Sequence, residues 1–135
     1  MDTKLVLKRW LAAFAGDVDK DFLEQHVLAR GNYLWHVFSW EKSPCLRGEE
    51  ARAAFNALQY DKAVMFESGF AWVDNRLLQA EAAILEALRY TNKISAEELD
   101  ECGDTYVVAE DFSWTYVHTH EEMCGPYFAR TGLSK

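Results

Sequence analysis

The sequence predicts an α+β domain: a mainly antiparallel sheet of about four to five strands, helices packed on it, and a C-terminal β-hairpin. Three observations support this fold class. Apolar residues recur at helical spacing near the N-terminus, several runs rich in aromatic and β-branched residues are typical of strands, and the last two such runs flank a short polar break. The 135 residues fit a single domain, 1–135, with a core of its own.

Two short helices are predicted in the N-terminal region. The first ends at Gly16, and the second begins at Asp17 or Asp19 as its N-cap and stops at Gly31. The residues that give these helices their buried sides are Leu7, Trp10, Leu11 and Phe14 in the first and Phe22, Leu23, His26 and Val27 in the second. The two helices would pack as a pair.

The middle of the chain alternates between strand and helix signals. Residues 33–40, YLWHVFSW, have apolar side chains on both faces, which predicts a central strand. A loop over residues 41–47 follows. The carboxylates of Glu49 and Glu50 then suit the N-terminus of a helix that buries Phe55. Residues 63–70, AVMFESGF, predict the next strand.

Two further helices are predicted after this strand. Residues 75–90 are rich in Ala, Leu and Glu, which are among the strongest helix formers. Ser95 followed by Glu98 is a capping-box pattern, which predicts a short helix that stops near Gly103.

The C-terminal quarter is predicted to contain the hairpin. Residues 105–110 and 114–120 would form its two strands, joined by a turn of about three to five residues because no Asn-Gly or Asp-Gly pair is present. Gly125 and Pro126 interrupt the second strand. Residues 127–128 then add a last short strand or pack on the core.

The formal net charge of −8 indicates which partners the chain attracts. It argues against nucleic acid, whose binding depends on Lys and Arg. A basic protein or a cationic small molecule is a better electrostatic match, although net charge also serves solubility alone. Neither a membrane span nor a signal peptide is expected, because no apolar stretch is long enough and Lys8 and Arg9 interrupt the N-terminal one.

The three cysteines, Cys45, Cys102 and Cys124, are widely separated and include no CxxC pair. This pattern favours a reducing compartment, so we expect a cytoplasmic protein. Buried structural thiols are the commoner interpretation, and the alternative is a nucleophilic pair of Cys45 or Cys124 with His36 or His120. No phosphate loop or other cofactor motif is present in the sequence, so no cofactor is predicted.

The histidines near the C-terminus are the first candidates for chemistry. His118 and His120 lie on one face of the last predicted hairpin strand, Glu121 follows it and Cys124 lies just beyond. His118, His120 and Cys124 are possible ligands for zinc or iron. His36 would complete a catalytic or metal-binding set with His118, His120 and Glu121 if its strand lay beside the hairpin. The alternative is that His118 forms a hydrogen bond within the sheet and His120 is solvated.

Four aromatic residues are candidates for a binding surface: Trp35, Trp114, Tyr116 and Tyr127. Trp114 and Tyr116 alternate with His118 and His120, so in an extended strand all four side chains point to one face. Such rings form either a stacking platform for a ligand or partner, or cross-strand packing inside the protein.

Two blocks of the sequence resemble a known family. The first is YLWHVFSWEK followed by Cys45-Leu46, Gly48, Ala51 and Ala54-Phe55, and the second is DTYVVAEDFSWTYVHTHE ending in GPYF. They are similar to a family of small bacterial proteins classified only as a domain of unknown function. The resemblance implies a shared fold and a bacterial cytoplasmic origin, and it implies no mechanism.

Two functions from different classes are compatible with these observations. The first is a small acidic protein-binding module without enzymatic activity, which docks a basic partner and would neutralise a basic toxin if it acts as an immunity protein does. Its support is the net charge, the aromatic hairpin and the missing catalytic motifs. The alternative is a metal-dependent or acid–base enzyme that uses the histidine cluster on the sheet.

Overall fold

A computed structural model describes residues 3–27, 34–70, 83–121 and 125–131. The helices are α1 (Thr3–Ala15), α2 (Lys20–Phe22, continued by a π-helical turn, Leu23–Val27), α3 (His36–Ser39), α4 (Gly48–Asn56) and α5 (Ala96–Leu99). The strands are β1 (Leu46–Arg47), β2 (Lys62–Phe70), β3 (Ala83–Asn92), β4 (Thr105–Ala109), β5 (Trp114–His118) and β6 (Tyr127–Arg130). No helix among these residues is long and apolar enough to cross a membrane.

The strands form one antiparallel sheet in the order β1-β6-β5-β4-β2-β3. This confirms the predicted α+β class and the C-terminal hairpin, with six strands in place of four to five. Two of the six strands were not predicted: β3, which falls in a predicted helix, and β1, which lies in the predicted loop and pairs with β6. Its two residues show no alternation of their own, so only the pairing partner defines them as a strand.

One face of the sheet is covered by α1 and α3. The ring of Trp10 on α1 packs edge-on against Tyr106 and Phe38, and its Nε1 donates a hydrogen bond of 3.1 Å to Thr115 Oγ1. The Thr115 hydroxyl in turn donates to the carbonyl of Val107 at 2.9 Å. A buried indole N–H therefore has an acceptor that is itself held by the sheet.

The opposite face is covered by α4 and α5. Phe55 of α4 stacks on Tyr116, with ring centroids 4.2 Å apart and an interplanar angle of 7°. Helix α5 begins with the predicted capping box: the Ser95 hydroxyl accepts from the Glu98 N–H at 3.2 Å, and the Glu98 carboxylate accepts from the Ser95 N–H at 2.7 Å. The sheet is thus the middle layer between two apolar cores.

The strand predicted over residues 33–40 is wrong. The described part of this segment is a turn and the short helix α3, in which Ser39 N–H donates to the Trp35 carbonyl at 3.1 Å. The Trp35 N–H donates to the Tyr106 hydroxyl at 3.1 Å, a contact between residues far apart in sequence. Aromatic and β-branched composition predicts a strand only where a neighbouring strand is present, and here a helical turn buries Trp35, Val37 and Phe38.

The helix predicted over residues 75–90 is also wrong where it can be compared. Residues 83–92 form β3, which pairs with β2 from Lys62 opposite Asn92 to Phe70 opposite Ala83. Residues 71–82 lie outside the described part of the chain. The helix propensity of Ala, Leu and Glu amounts to a few tenths of a kcal/mol per residue, so a long strand pairing outweighs it.

Candidate functional site

An open cleft of about 700 Å³ lies at the end of the sheet where β5 stops and β6 begins. It is surrounded by the first turn of α4, the segment after α5, the residues after β5 and the Gly125–Pro126 peptide. This peptide bond is cis. Its lining residues are Gly48, Glu49, Arg52, Asp100, Cys102, His118, Thr119, His120, Glu121, Gly125 and Pro126. The cleft therefore contains the predicted His118, His120 and Glu121.

The register of the hairpin explains why these groups meet. Thr105 of β4 pairs with His118 of β5, so the residues that precede β4 lie beside those that follow β5. His118 Nδ1 is 2.9 Å from the carbonyl oxygen of Gly103. Since a carbonyl only accepts, Nδ1 carries the hydrogen, and in the neutral ring Nε2 keeps its lone pair.

His120 is held more firmly, by a single carboxylate oxygen. Asp104 Oδ1 accepts the His120 backbone N–H at 2.7 Å and the Nδ1–H at 2.8 Å. The Asp104 side chain is 11% exposed and that of His120 is 41% exposed, so the carboxylate lies beneath the ring. The His120 Nε2 is 3.4 Å from Glu121 Oε1. This His–Asp pair fixes both the orientation and the tautomer of the imidazole.

The indole ring of Trp35 contacts both His36 and His120. The Trp35 ring centroid lies 4.5 Å from that of His36 and 6.1 Å from that of His120. Burial lowers the pKa of His36, while the charges of Glu121 and Asp104 act in the opposite direction. His36 Nδ1 is within 2.9 Å of the Ser39 hydroxyl. The predicted cluster of His36, His120 and Glu121 is therefore electrostatically connected, although His36 does not line the cleft.

Arg52 lines the cleft, and its guanidinium is already bonded to carboxylates of the same chain. Its guanidinium donates to both Asp100 oxygens, at 2.6 and 3.1 Å, and to Glu97 at 3.1 Å. This contact raises the pKa of Arg52 and lowers that of Asp100. With neutral histidines, the lining carries three carboxylates, on Glu49, Asp100 and Glu121, against one guanidinium. The cleft is consequently electronegative.

The four aromatic residues predicted as a binding surface are buried. Trp35 and Tyr127 stack with centroids 6.3 Å apart on the α1 side, whereas Trp114 and Tyr116 lie on the α4 side. Of the two alternatives that the sequence left open, the burial of these rings agrees with packing inside the protein and not with an exposed platform. Burial raises the pKa of Tyr116 to about 12, so its phenol stays protonated.

The candidate metal ligands and the candidate nucleophilic cysteines lie in different surroundings. Among the described residues, no group of three or more His, Cys, Asp or Glu side chains is arranged to hold a metal ion, and Cys124 lies outside them. Cys45 is half-buried, and burial raises its pKa to about 11, which disfavours the nucleophilic thiolate. Cys102 is exposed and lines the cleft.

The sequence was compared with known families, curated proteins and solved structures. The model of a family described as a domain of unknown function, DUF4275, matches residues 3–128. The chain belongs to this family. No curated protein and no solved structure matches it.

Three site residues of this DUF4275 member escaped prediction: Glu49, Arg52 and Asp104. Glu49 was assigned to the helix N-terminus. The signal for Asp104 was its position directly before a hairpin strand, because in an antiparallel pair that position faces the residues after the partner strand. Arg52 gave no signal, since its contact with Asp100 depends on how α4 packs beside α5.

Proposed function

We propose that this DUF4275 domain is a non-enzymatic binding protein whose cleft receives a cationic group from a basic protein partner. The observation that carries the proposal is the composition of the cleft: three carboxylates face one guanidinium, and that guanidinium is already bonded to Asp100 and Glu97. The immunity-type interpretation is one form of this function, with a basic toxin as the partner.

The cleft offers two acidic acceptors that Arg52 does not hold tightly. Glu49 is exposed, and its oxygen is 3.8 Å from Arg52 Nε, while Glu121 lies on the other side beside His120. These two carboxylates are the groups that an incoming Lys or Arg side chain would contact in the cleft. The overall charge of −8 would steer a basic partner toward the domain and make association sensitive to salt.

A matched pair of variants tests this proposal. Glu49→Gln with Glu121→Gln removes the two negative charges and nearly keeps the shape of the side chains, and Glu50→Gln removes a charge of the same helix turn that does not line the cleft. We expect a basic protein captured from the native host to bind wild type and Glu50→Gln equally, and the double variant at least about tenfold more weakly.

The affinity should be measured by calorimetry on the purified partner at several salt concentrations. A partner that binds all three forms equally would show that it docks elsewhere. Failure of repeated cross-linking captures to recover any basic protein would count against the function itself.

A second candidate, acid–base catalysis, is favoured by the His120–Asp104 pair. A carboxylate that accepts the Nδ1–H of an imidazole lining a cleft is the arrangement of a general base, and here Nε2 lies 3.4 Å from Glu121 Oε1. Wild type, His120→Ala and His26→Ala should be compared on a panel of ester, amide and phosphoester substrates. A rate that His120→Ala abolishes and His26→Ala preserves would support catalysis, and the absence of any wild-type rate would remove this candidate.

A further inference from the structure

Two imidazoles share the lining of the cleft with its carboxylates. The imidazoles are those of His118 and His120, and the carboxylates are those of Glu49, Asp100 and Glu121. Histidine is the side chain whose unperturbed charge changes between about pH 5 and 8, a range in which exposed carboxylates stay ionised. With both rings protonated, three cations face the three carboxylates, since Arg52 also lines the cleft. The excess negative charge of the lining is therefore present at neutral pH and is balanced in mildly acidic solution.

The contacts of His120 decide which of its nitrogen atoms takes up the additional proton. Asp104 Oδ1 lies 2.8 Å from Nδ1, and because an ionised carboxylate only accepts, Nδ1 already carries a hydrogen in the neutral ring. The additional proton therefore binds to Nε2, which is 3.4 Å from Glu121 Oε1. Protonation places a positive charge and a new N–H donor beside Glu121, and the imidazolium then lies between two carboxylates.

Titratable and charged groups surround His120 on each element that borders it. Among the described residues, they are Asp104 before β4, His118 of β5, Glu121 after β5, His36 of α3, Glu49 and Arg52 of α4, and Asp100 and Cys102 at the end of α5. Burial lowers the pKa of His36, so this ring becomes charged below the range in which an unperturbed imidazole titrates. Within the described lining, His118 and His120 are thus the groups that gain a positive charge in mildly acidic solution.

We propose that acidification releases the basic partner from this cleft, because the His120 imidazolium pairs with the Glu121 carboxylate that the partner's cation contacts at neutral pH. This inference rests on the proposed function and adds its regulation. While His120 is neutral, Glu121 accepts from the partner's Lys or Arg side chain. Once His120 is protonated, it bonds to the same acceptor and repels the incoming cation. The domain binds its partner near neutral pH and releases it below about pH 6.

The experiment measures the affinity of the full chain for a fluorescently labelled hexalysine peptide. The lysines of this probe stay charged across the range, so a change in affinity arises from the protein. Fluorescence anisotropy gives the dissociation constant at about pH 7.5 and about pH 5.5, at one ionic strength. We expect wild type to bind at least about tenfold more weakly at the lower pH. Equal affinities at the two pH values would overturn the proposal.

His120→Gln and His26→Gln identify which imidazole is responsible. A glutamine at position 120 can still donate a hydrogen bond to Asp104 but gains no charge, so this variant should bind as wild type does at neutral pH and lose most of the weakening in acid. His26 stacks on Trp40 and does not line the cleft, so His26→Gln should respond to pH as wild type does. Thermal unfolding at both pH values checks that the variants are folded. A folded His120→Gln variant that keeps the whole response would contradict the proposal.

The double variant Glu49→Gln with Glu121→Gln separates this regulation from the function on which it rests. At neutral pH it should bind hexalysine at least about tenfold more weakly than wild type. If it binds equally tightly, or if wild type does not bind at all, the cleft does not receive cations, and the proposed function fails together with its regulation. If the double variant binds more weakly while wild type shows no response to pH, the function stands and the regulation alone fails.

Discussion

The two ends of β5 differ in role although the sequence runs through them with one alternating pattern. Trp114 and Tyr116 are enclosed between the sheet and α4, and Tyr116 stacks on Phe55. Two residues further along, His118 reaches the cleft and is held by the Gly103 carbonyl. The difference shows that alternation places side chains on one face, while the elements packed above decide which of them are buried.

The largest expected effect concerns the buried end of β5. Tyr116→Ala removes a fully buried ring and should lower the free energy of unfolding by about 3–5 kcal/mol, because it leaves a cavity beneath Phe55. His118→Ala, at the cleft end, should lower it by less than about 1 kcal/mol. Urea unfolding followed by tryptophan fluorescence measures both. Equal losses for the two variants would contradict the division of β5 into core and site.

An intermediate effect concerns the other face of the same strand. Thr115→Val keeps the shape of the side chain and removes the acceptor of the Trp10 Nε1–H. The buried indole N–H then lacks its partner, which should cost about 1–3 kcal/mol in urea unfolding. Thr131→Val, at a hydroxyl near the surface, serves as the control. A Thr115→Val protein as stable as wild type would show that Trp10 depends on packing alone.

A smaller effect is the pH response of the cleft end. Because burial lowers the pKa of His36, the unfolded chain binds a proton there more readily than the folded one. The stabilising contribution is present above the unfolded pKa and is lost as the pH falls through the lower folded pKa. His36→Gln should therefore flatten the decline of stability in mildly acidic solution, as followed by thermal unfolding. An unchanged pH dependence would exclude His36 as its source.

The smallest effect should have the opposite sign. The Tyr116 hydroxyl is buried and has no hydrogen-bond partner among the described residues. Tyr116→Phe keeps the stack on Phe55 and removes an unsatisfied polar atom, so unfolding should cost the same or up to about 1 kcal/mol more. A clear loss of stability would reveal that the hydroxyl has a partner after all.

Local signals predicted the elements that depend on local chemistry. The capping box at Ser95 and Glu98, the amphipathic first helix and the hairpin are all present, because a few neighbouring residues specify each of them. Two predictions failed where distant contacts decide. Trp35 bonds to Tyr106, which favours a helical turn, and residues 83–92 gain a strand partner in β2 that their helix-forming composition does not indicate.

The candidate site was predictable to the same extent. The sequence indicated His118, His120 and Glu121 because two imidazoles share one face of the predicted hairpin strand and a carboxylate follows it, and the cleft contains all three. It did not indicate Asp104, whose contact with His120 follows from strand register, and it left open whether Trp114 is exposed or buried, which the position of α4 decides. The residue types in the sequence identified which side chains could act in the site, whereas the tertiary structure determines which residues they contact.

The hydrogen bond between Trp10 and Thr115 also constrains when the protein can fold. Its two residues are 105 positions apart, so the first helix to be synthesised packs on one of the last strands. At about 5–20 residues per second, translation leaves the apolar side of α1 without its final partner for about 5–20 s. During that interval Trp10 and Phe14 lack the C-terminal hairpin residues that help to bury them in the folded protein.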